Sequence, residues 1–195
     1  MRNKFILIVF FALSISVISQ NKKFSIDINY PLALSDGEFD EISGIIDGSI
    51  KYRFKETDKM YLGISYTFDL LKEKTTIFVN QPDLNRNYTF HHLGFFEELI
   101  MNSNSKFRPF IGLGYSILSA ENESFTGNTE SLNIISEKNN SSGFNFNIGT
   151  SYDILDHFFI QAYFHYIRIF RKSAITDKNI GINFNQLKLG LGYRF

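Results

Sequence analysis

The sequence predicts an all-β protein: eight antiparallel strands wound up-and-down into a closed barrel that crosses a membrane. Three observations predict it. Apolar and polar residues alternate with a period of two in eight separate segments. The links between those segments are alternately short and long. The last segment is the most regular, with Leu187, Leu189, Leu191, Tyr193 and Phe195 at odd positions and Lys188, Gly190, Gly192 and Arg194 at even ones. Successive side chains of a strand point to opposite faces, so such a segment has one greasy side and one polar side.

Taken in order, residues 1–19 read as a secretory signal helix. Arg2 and Lys4 supply its positive start, Phe5 to Ile18 its apolar run, and Val17 and Ser19 the small residues before a cleavage site. The run falls short of the ~20 residues that a spanning helix needs. The domain organisation is therefore a signal peptide over 1–19 and a barrel over 20–195. The mature protein is expected to begin at Gln20. N-terminal sequencing of the membrane fraction checks this, and a retained Met1 counts against it.

The first strand is Phe24 to Tyr30, with Phe24, Ile26, Ile28 and Tyr30 on one face. Ile50 to Phe54 alternates strictly and sets Lys51 and Arg53 on the polar side. Met60 to Leu70 opposes Met60, Leu62, Ile64, Tyr66, Phe68 and Leu70 to a face that includes Asp69. Tyr88 to Leu99 is apolar on both faces and allows two registers: either Leu93, Phe95 and Leu99 point outward, or Phe90, Phe96 and Ile100 do. Phe107 to Ile117 sets Ile111, Leu113 and Tyr115 against Arg108, Gly112 and Gly114. Phe144 to Asp153 places Asn145, Asn147, Gly149, Ser151 and Asp153 together. Phe158 to Phe170 carries Gln161, Tyr163 and His165 opposite Ile160, Ala162 and Phe164. Tilted strands that cross a bilayer need about 9–11 residues each.

The links Lys55–Lys59, Met101–Lys106 and Ile154–His157 are short. The links Leu32–Ile45, Leu71–Asn87, Leu118–Ser142 and Arg171–Asn183 are long and polar. Membrane barrels have short turns at one rim and long loops at the other. A soluble β-sandwich with these strands would expose a large patch of Phe, Tyr and Leu, which soluble monomers avoid.

Composition narrows the classes. The 20 basic and 20 acidic residues cancel, which argues against a nucleic-acid partner. The 22 Phe and 10 Tyr suit strands and interfacial girdles. Mean hydropathy is slightly negative, which disfavours a bundle of apolar spanning helices. With no Cys there is neither a lipid-modified cysteine nor a disulfide.

The polar faces converge on an interior that holds Asp27, Lys51, Arg53, Asp69, Arg108, Asp153, Gln161, His165, Lys188 and Arg194, with Glu97 or Glu98 according to register. Eight strands enclose a space that side chains just fill. Opposite charges there should pair, because unpaired buried charge is costly. A structural ionic plug is the leading reading, and a narrow ion path is the other. His91 and His92 are neighbours and face opposite ways, so they cannot share a metal; His165 can meet one of them across the lumen, but no carboxylate spacing marks a metal site. No His-x-Ser or triad spacing appears, so neither catalysis nor a cofactor is expected. The inward glycines Gly63, Gly112, Gly114, Gly149, Gly190 and Gly192 read as relief of crowding rather than ligand space. The longest link, Leu118–Ser142, holds Phe125, Leu132, Ile134 and Ile135. It either forms a polar loop or extends its neighbouring strands as a hairpin, and it is the first place to expect an external ligand.

The C-terminal stretch has the form polar-x-Gly-x-x-aromatic-x-aromatic, filled by Lys188, Gly190, Tyr193 and Phe195. It resembles the assembly signal of small bacterial outer-membrane barrels of the OmpA/OmpX-like kind. The resemblance implies insertion by the barrel-assembly machinery, contact with outer-membrane lipid, periplasmic termini, extracellular long loops and a monomer. The richness in Asn, Lys, Ile and Phe resembles Bacteroidota proteins. The expected function is that of a structural or loop-mediated surface-binding barrel; a narrow pore and a lipid A-modifying enzyme are the alternatives. Phe195→Ser should impair outer-membrane accumulation, and Lys188→Ala should be milder.

Overall fold

A computed structural model describes residues 22–34, 42–75, 84–102, 105–128, 131–172 and 179–195. The signal segment 1–19 lies outside the described residues, as do 35–41, 76–83 and 173–178. Eight strands follow in chain order: β1 (Phe24–Ala33), β2 (Ile42–Glu56), β3 (Met60–Thr75), β4 (Leu84–Leu99), β5 (Phe107–Asn128), β6 (Ser131–Asp153), β7 (Phe158–Lys172) and β8 (Asn179–Arg194). Each pairs antiparallel with the next, and β8 returns to β1 from Ser25↔Arg194 to Ala33↔Gln186. The predicted fold class is the observed one. Closure leaves no open sheet edge around the barrel wall, as a structure bathed in hydrocarbon requires.

The strands are longer than the alternation marked out. β2 begins at Ile42 rather than Ile50, because Asp47-Gly48-Ser49 reads as a turn yet pairs on both sides, with β1 and with β3. The link Leu118–Ser142 is strand almost throughout. Pairs run unbroken from Ile117↔Ser142 to Asn128↔Ser131, so the hairpin alternative holds and the open loop does not. This stretch lacks proline, and its one glycine, Gly127, sits near the tip. Nothing in it breaks a strand; it merely lacks a buried face that would impose a period.

The outer face forms an apolar belt. Leu93, Leu113 and Leu191 are each 63% exposed and Phe95 is 68% exposed. This settles β4: Leu93, Phe95 and Leu99 point out, while Phe90, Phe96 and Glu98 point in. Glu98, not Glu97, is the interior acid.

Three tiers fill the inside. Nearest the termini lie Arg53, Glu98, Ser151 and Arg194, with Arg108 and Asp153 half-buried beside them. The middle tier holds Asp27, Asn29, Asp47, Asp69, Gln161 and Lys188, with His92 and His165 above. Beyond it Leu71, Tyr88, Phe90, Leu118, Ile167, Ile169 and Phe184 form a buried apolar cap. The cap departs from the expected all-polar lumen. Around it the contrast is reversed rather than absent: Tyr88 and Phe90 alternate with Asn87, Thr89 and His91, Phe184 lies between Asn183 and Asn185, and Ile167 and Ile169 flank Arg168, so the apolar residues are the inward ones.

Candidate functional site

The interior is the first candidate site, and register decides who meets whom. In the tier nearest the termini, Glu98 accepts from Arg53 Nη2 at 2.8 Å and from Arg108 Nη1 at 3.5 Å, and lies 3.7 Å from Arg194. Asp153 accepts from Arg108 Nε at 2.8 Å and also binds Arg194. Arg194 stacks over the Phe159 ring at 4.1 Å. Three guanidiniums and two carboxylates thus close this end, held by charge-assisted bonds.

In the middle tier Lys188 Nζ donates to Asp47 at 2.5 Å and Asp69 at 2.9 Å, with no solvent exposure of any of the three side chains. Gln161 Nε2 donates to Asp27 and Asn29 at 2.8 and 2.6 Å, and its carbonyl accepts from Lys51 at 3.1 Å. Lys51 also pairs with Asp27 at 3.2 Å. Asp47, absent from the sequence reading, is as central as any residue named there. The signal that could have found it is its position: Asp47, Ser49, Lys51 and Arg53 share one strand parity.

His91 turns outward and bonds Tyr66 Oη at 2.7 Å. His92 turns inward; its Nδ1 lies 2.7 Å from Ser116 Oγ, which accepts from Asn145 at 2.8 Å. The His165 ring sits edge-on to His92 with centroids 4.7 Å apart. Asp69 completes a cluster in which one donor atom from each residue lies within 4.8 Å of the others. No local spacing could reveal this, because three strands contribute.

The glycines mark close approach. A Cβ on Gly190 would lie 2.0 Å from Asn29 Oδ1 and 2.4 Å from the Ile28 carbonyl oxygen. Gly190→Ser therefore forces the β1–β8 seam apart, at a cost of roughly 1–3 kcal/mol for overpacking. That overlaps the roughly 2–4 kcal/mol expected for lipid-facing Leu189→Arg. Unfolding midpoints in detergent compare the two; a Gly190→Ser barrel as stable as the parent would contradict the seam geometry.

The four motif residues of the last strand do not form one patch. Lys188 and Gly190 face in. Tyr193 and Phe195 face out and pack at 4.9 Å, with Phe158 and His157 also against Tyr193 at 4.9 and 5.4 Å.

At the opposite rim, β4 pairs with β5 as far as Arg86↔Asn122 and β7 pairs with β6 as far as Ser142↔Phe170. Beyond those points the β5–β6 hairpin makes no further ladder pairs with the described strands, although Asn85 N–H still donates to the Glu123 carboxylate at 2.7 Å. Phe125 opposes Ile134, and Leu132 opposes Gly127. Ile134 and Ile135 are 47% and 41% exposed. β4 runs on to Leu84, so the overhang begins near Phe125; at ~3.4 Å per residue the segment from Phe125 to Asn128 reaches roughly 14 Å beyond β4.

A closed barrel with an apolar belt outside and paired charges inside is built for a bilayer; it defines a membrane β-barrel of the outer-membrane class. The chain belongs to the outer membrane protein beta-barrel domain family, whose model matches residues 5–195. Among solved structures it is similar to Ail, the attachment invasion locus protein of Yersinia pestis, in complex with the heparin analogue sucrose octasulfate. The identity is 17% and the TM-score 0.54, over 88% of this chain and 96% of that one. Neisserial surface protein A is similar at 15% identity and TM-score 0.56, over 89% and 97%. A major outer membrane protein of Thermus thermophilus is similar at 10% identity and TM-score 0.60, over 88% and 98%. At these identities the likeness concerns the fold. No curated protein matches the sequence. The protein is an outer-membrane barrel, and its belt faces lipid.

Proposed function

We propose that this protein is a non-conducting, non-enzymatic barrel that displays the β5–β6 hairpin at the cell surface as a docking edge for a protein partner. The observation that carries the reading is the hairpin's overhang past both neighbouring strands. A two-stranded ribbon whose outer edges pair with no described strand offers backbone donors and acceptors to an added strand, and Ile134 and Ile135 offer apolar anchors. Outer-membrane barrels keep short turns in the periplasm and long extensions outside. That rule puts the termini and the turns after β2, β4 and β6 in the periplasm and the hairpin outside. The stretch 118–142 contains Glu121, Glu123, Glu130 and Glu137 but only Lys138 as a base, so a sulfated polyanion like that bound to the Yersinia protein does not suit it. A neutral or basic protein edge does. On this reading the terminal motif serves the assembly machinery, and Phe195→Ser lowers the ratio of outer-membrane to periplasmic protein while refolding in detergent stays near normal.

Replacing residues 121–138 by an Asn-Gly turn tests the docking edge. Liposomes carrying the full barrel should be retained by surface proteins of the producing cell, and those with the shortened barrel should not. Equal retention would sink the proposal. The pore reading is disfavoured by the apolar cap above two paired ionic tiers, so planar bilayers should show no stepwise conductance. The enzyme reading has one geometric support, the contact between Ser116 and His92. Ser116 has no solvent exposure, however, and no substrate reaches it. Fluorophosphonate should leave Ser116 unlabelled in the folded barrel, as read by peptide mass spectrometry.

A further inference from the structure

We propose that Asp69, His92 and His165 bind one divalent transition-metal ion of the zinc type inside the barrel. Two imidazoles and a carboxylate suit such ions, and the chain has no thiolate to compete. The donor set assembles from β3, β4 and β7. His92 opposes Thr67 across the β3–β4 pair, so Asp69 lies two residues along on the same inner face. His165 projects from β7 to meet the His92 ring.

The unpartnered atoms carry the inference. Asp69 Oδ1, His92 Nε2 and both ring nitrogens of His165 are buried and make no hydrogen bond. Buried polar groups are ordinarily satisfied, and unpartnered atoms on three buried residues whose donor atoms lie within 4.8 Å of one another make the donor pattern of a cation site. Asp69 and His92 are each oriented by another contact that leaves the second donor atom free. Asp69 uses Oδ2 for Lys188, which leaves Oδ1 available. Ser116 Oγ lies at His92 Nδ1 and already accepts from Asn145. With the proton of His92 on Nδ1, Ser116 accepts from it as well, and the Nε2 lone pair turns inward. Such an outer partner fixes tautomer and ring direction at metal-bound histidines. Phe90 stacks nearly parallel to His92 at 5.5 Å and limits its rotation.

Space and charge agree. A cavity of about 30 Å³ borders His92 and His165, with Asp69 outside its lining. Zinc–nitrogen and zinc–oxygen bonds are about 2.0–2.2 Å, so two ligands of one ion lie at most ~4.4 Å apart. Donor atoms within 4.8 Å need only small rotations to close. The middle tier holds three carboxylates, Asp27, Asp47 and Asp69, against two ammoniums, Lys51 and Lys188, so the ion meets no net positive charge there. Both ends of the lumen are plugged, so the ion enters as the barrel closes.

The test is to fold the full chain into detergent with one equivalent of Zn²⁺ or Co²⁺, remove free metal with chelator, and measure metal per chain by elemental mass spectrometry. Co²⁺ also reports its ligand field by visible absorption. The expected result is one ion per folded chain, held against chelator and released on unfolding. Asp69→Asn and His165→Gln should abolish it, and outward His91→Ala should keep it. Ser116→Ala should weaken it by about 10–100-fold, as loss of an outer partner does. Heat-modifiable gel mobility identifies folded variants; if His165→Gln does not fold, His165→Phe fills the same space without a donor. A folded wild type without metal would overturn the proposal. So would folded variants that keep the same stoichiometry.

Discussion

Lys188→Met is expected to destabilise the barrel by about 3–5 kcal/mol, the usual cost of removing one partner from a buried ion cluster. Methionine keeps the length and most of the volume of the side chain, so the loss is one of charge. Lys188 lies with zero exposure between Asp47 at 2.5 Å and Asp69 at 2.9 Å. Those two acids are direct cross-strand partners on β2 and β3. Without the ammonium, two like charges face each other in a space that water does not reach, and directly opposed like charges destabilise a sheet. One acid must take up a proton or the strands must part. As the polar position of the terminal motif, Lys188 is expected to matter less than Phe195 for assembly; its contacts with Asp47 and Asp69 are what make it matter for stability. Adding Asp47→Asn to Lys188→Met should recover part of the loss, and the two single variants with the double give the coupling. Urea unfolding in detergent micelles measures all three. A Lys188→Met barrel within ~1 kcal/mol of the parent would show that the cluster is not ionised as drawn.

What was legible in the sequence was the outside of the barrel. Along β1, β7 and β8 lipid-facing and lumen-facing residues differ in polarity, so Ile28, Ile160 and Leu191 announce one face and Asp27, Gln161 and Lys188 the other. The reading fails where that contrast reverses. Ile167 and Ile169 are buried on either side of outward Arg168, and Phe90 and Phe184 also alternate with polar outward residues, so in the cap the apolar side is the inward one and polarity alone points the wrong way. Asp47 was hidden for a different reason: Asp47-Gly48 looks like a turn in isolation, and only pairing on both sides makes it strand. The partners were the least legible. Lys188 reaches Asp47 across 141 residues, and Gln161 reaches Asp27 across 134. Which charge meets which depends on the stagger at which the sheet closes, and no single strand encodes that. The same holds for Asp69, His92 and His165.

The register of β4, open from the sequence, can be tested at two adjacent residues. Glu98→Gln should cost about 3 kcal/mol, near the lower end for a broken buried ion cluster, because Arg108 and Asp153 beside it keep some contact with water. The substitution preserves shape and removes one charge. Glu98 now balances Arg53, Arg108 and Arg194; afterwards three guanidiniums would share Asp153 alone. A glutamine amide turned toward Arg53 would also set donor against donor, since a guanidinium accepts nothing. Glu97 lies on the opposite face of the strand, with Phe95 and Leu99, and makes none of these bonds. Glu97→Gln should change stability by less than about 0.5 kcal/mol, as surface substitutions usually do. Heat-modifiable gel mobility as a function of temperature ranks the two variants in one experiment. If Glu97→Gln proves the costlier, β4 is shifted by one residue, Phe90 and His92 turn out to lipid, and both the apolar cap and the metal cluster lose their places.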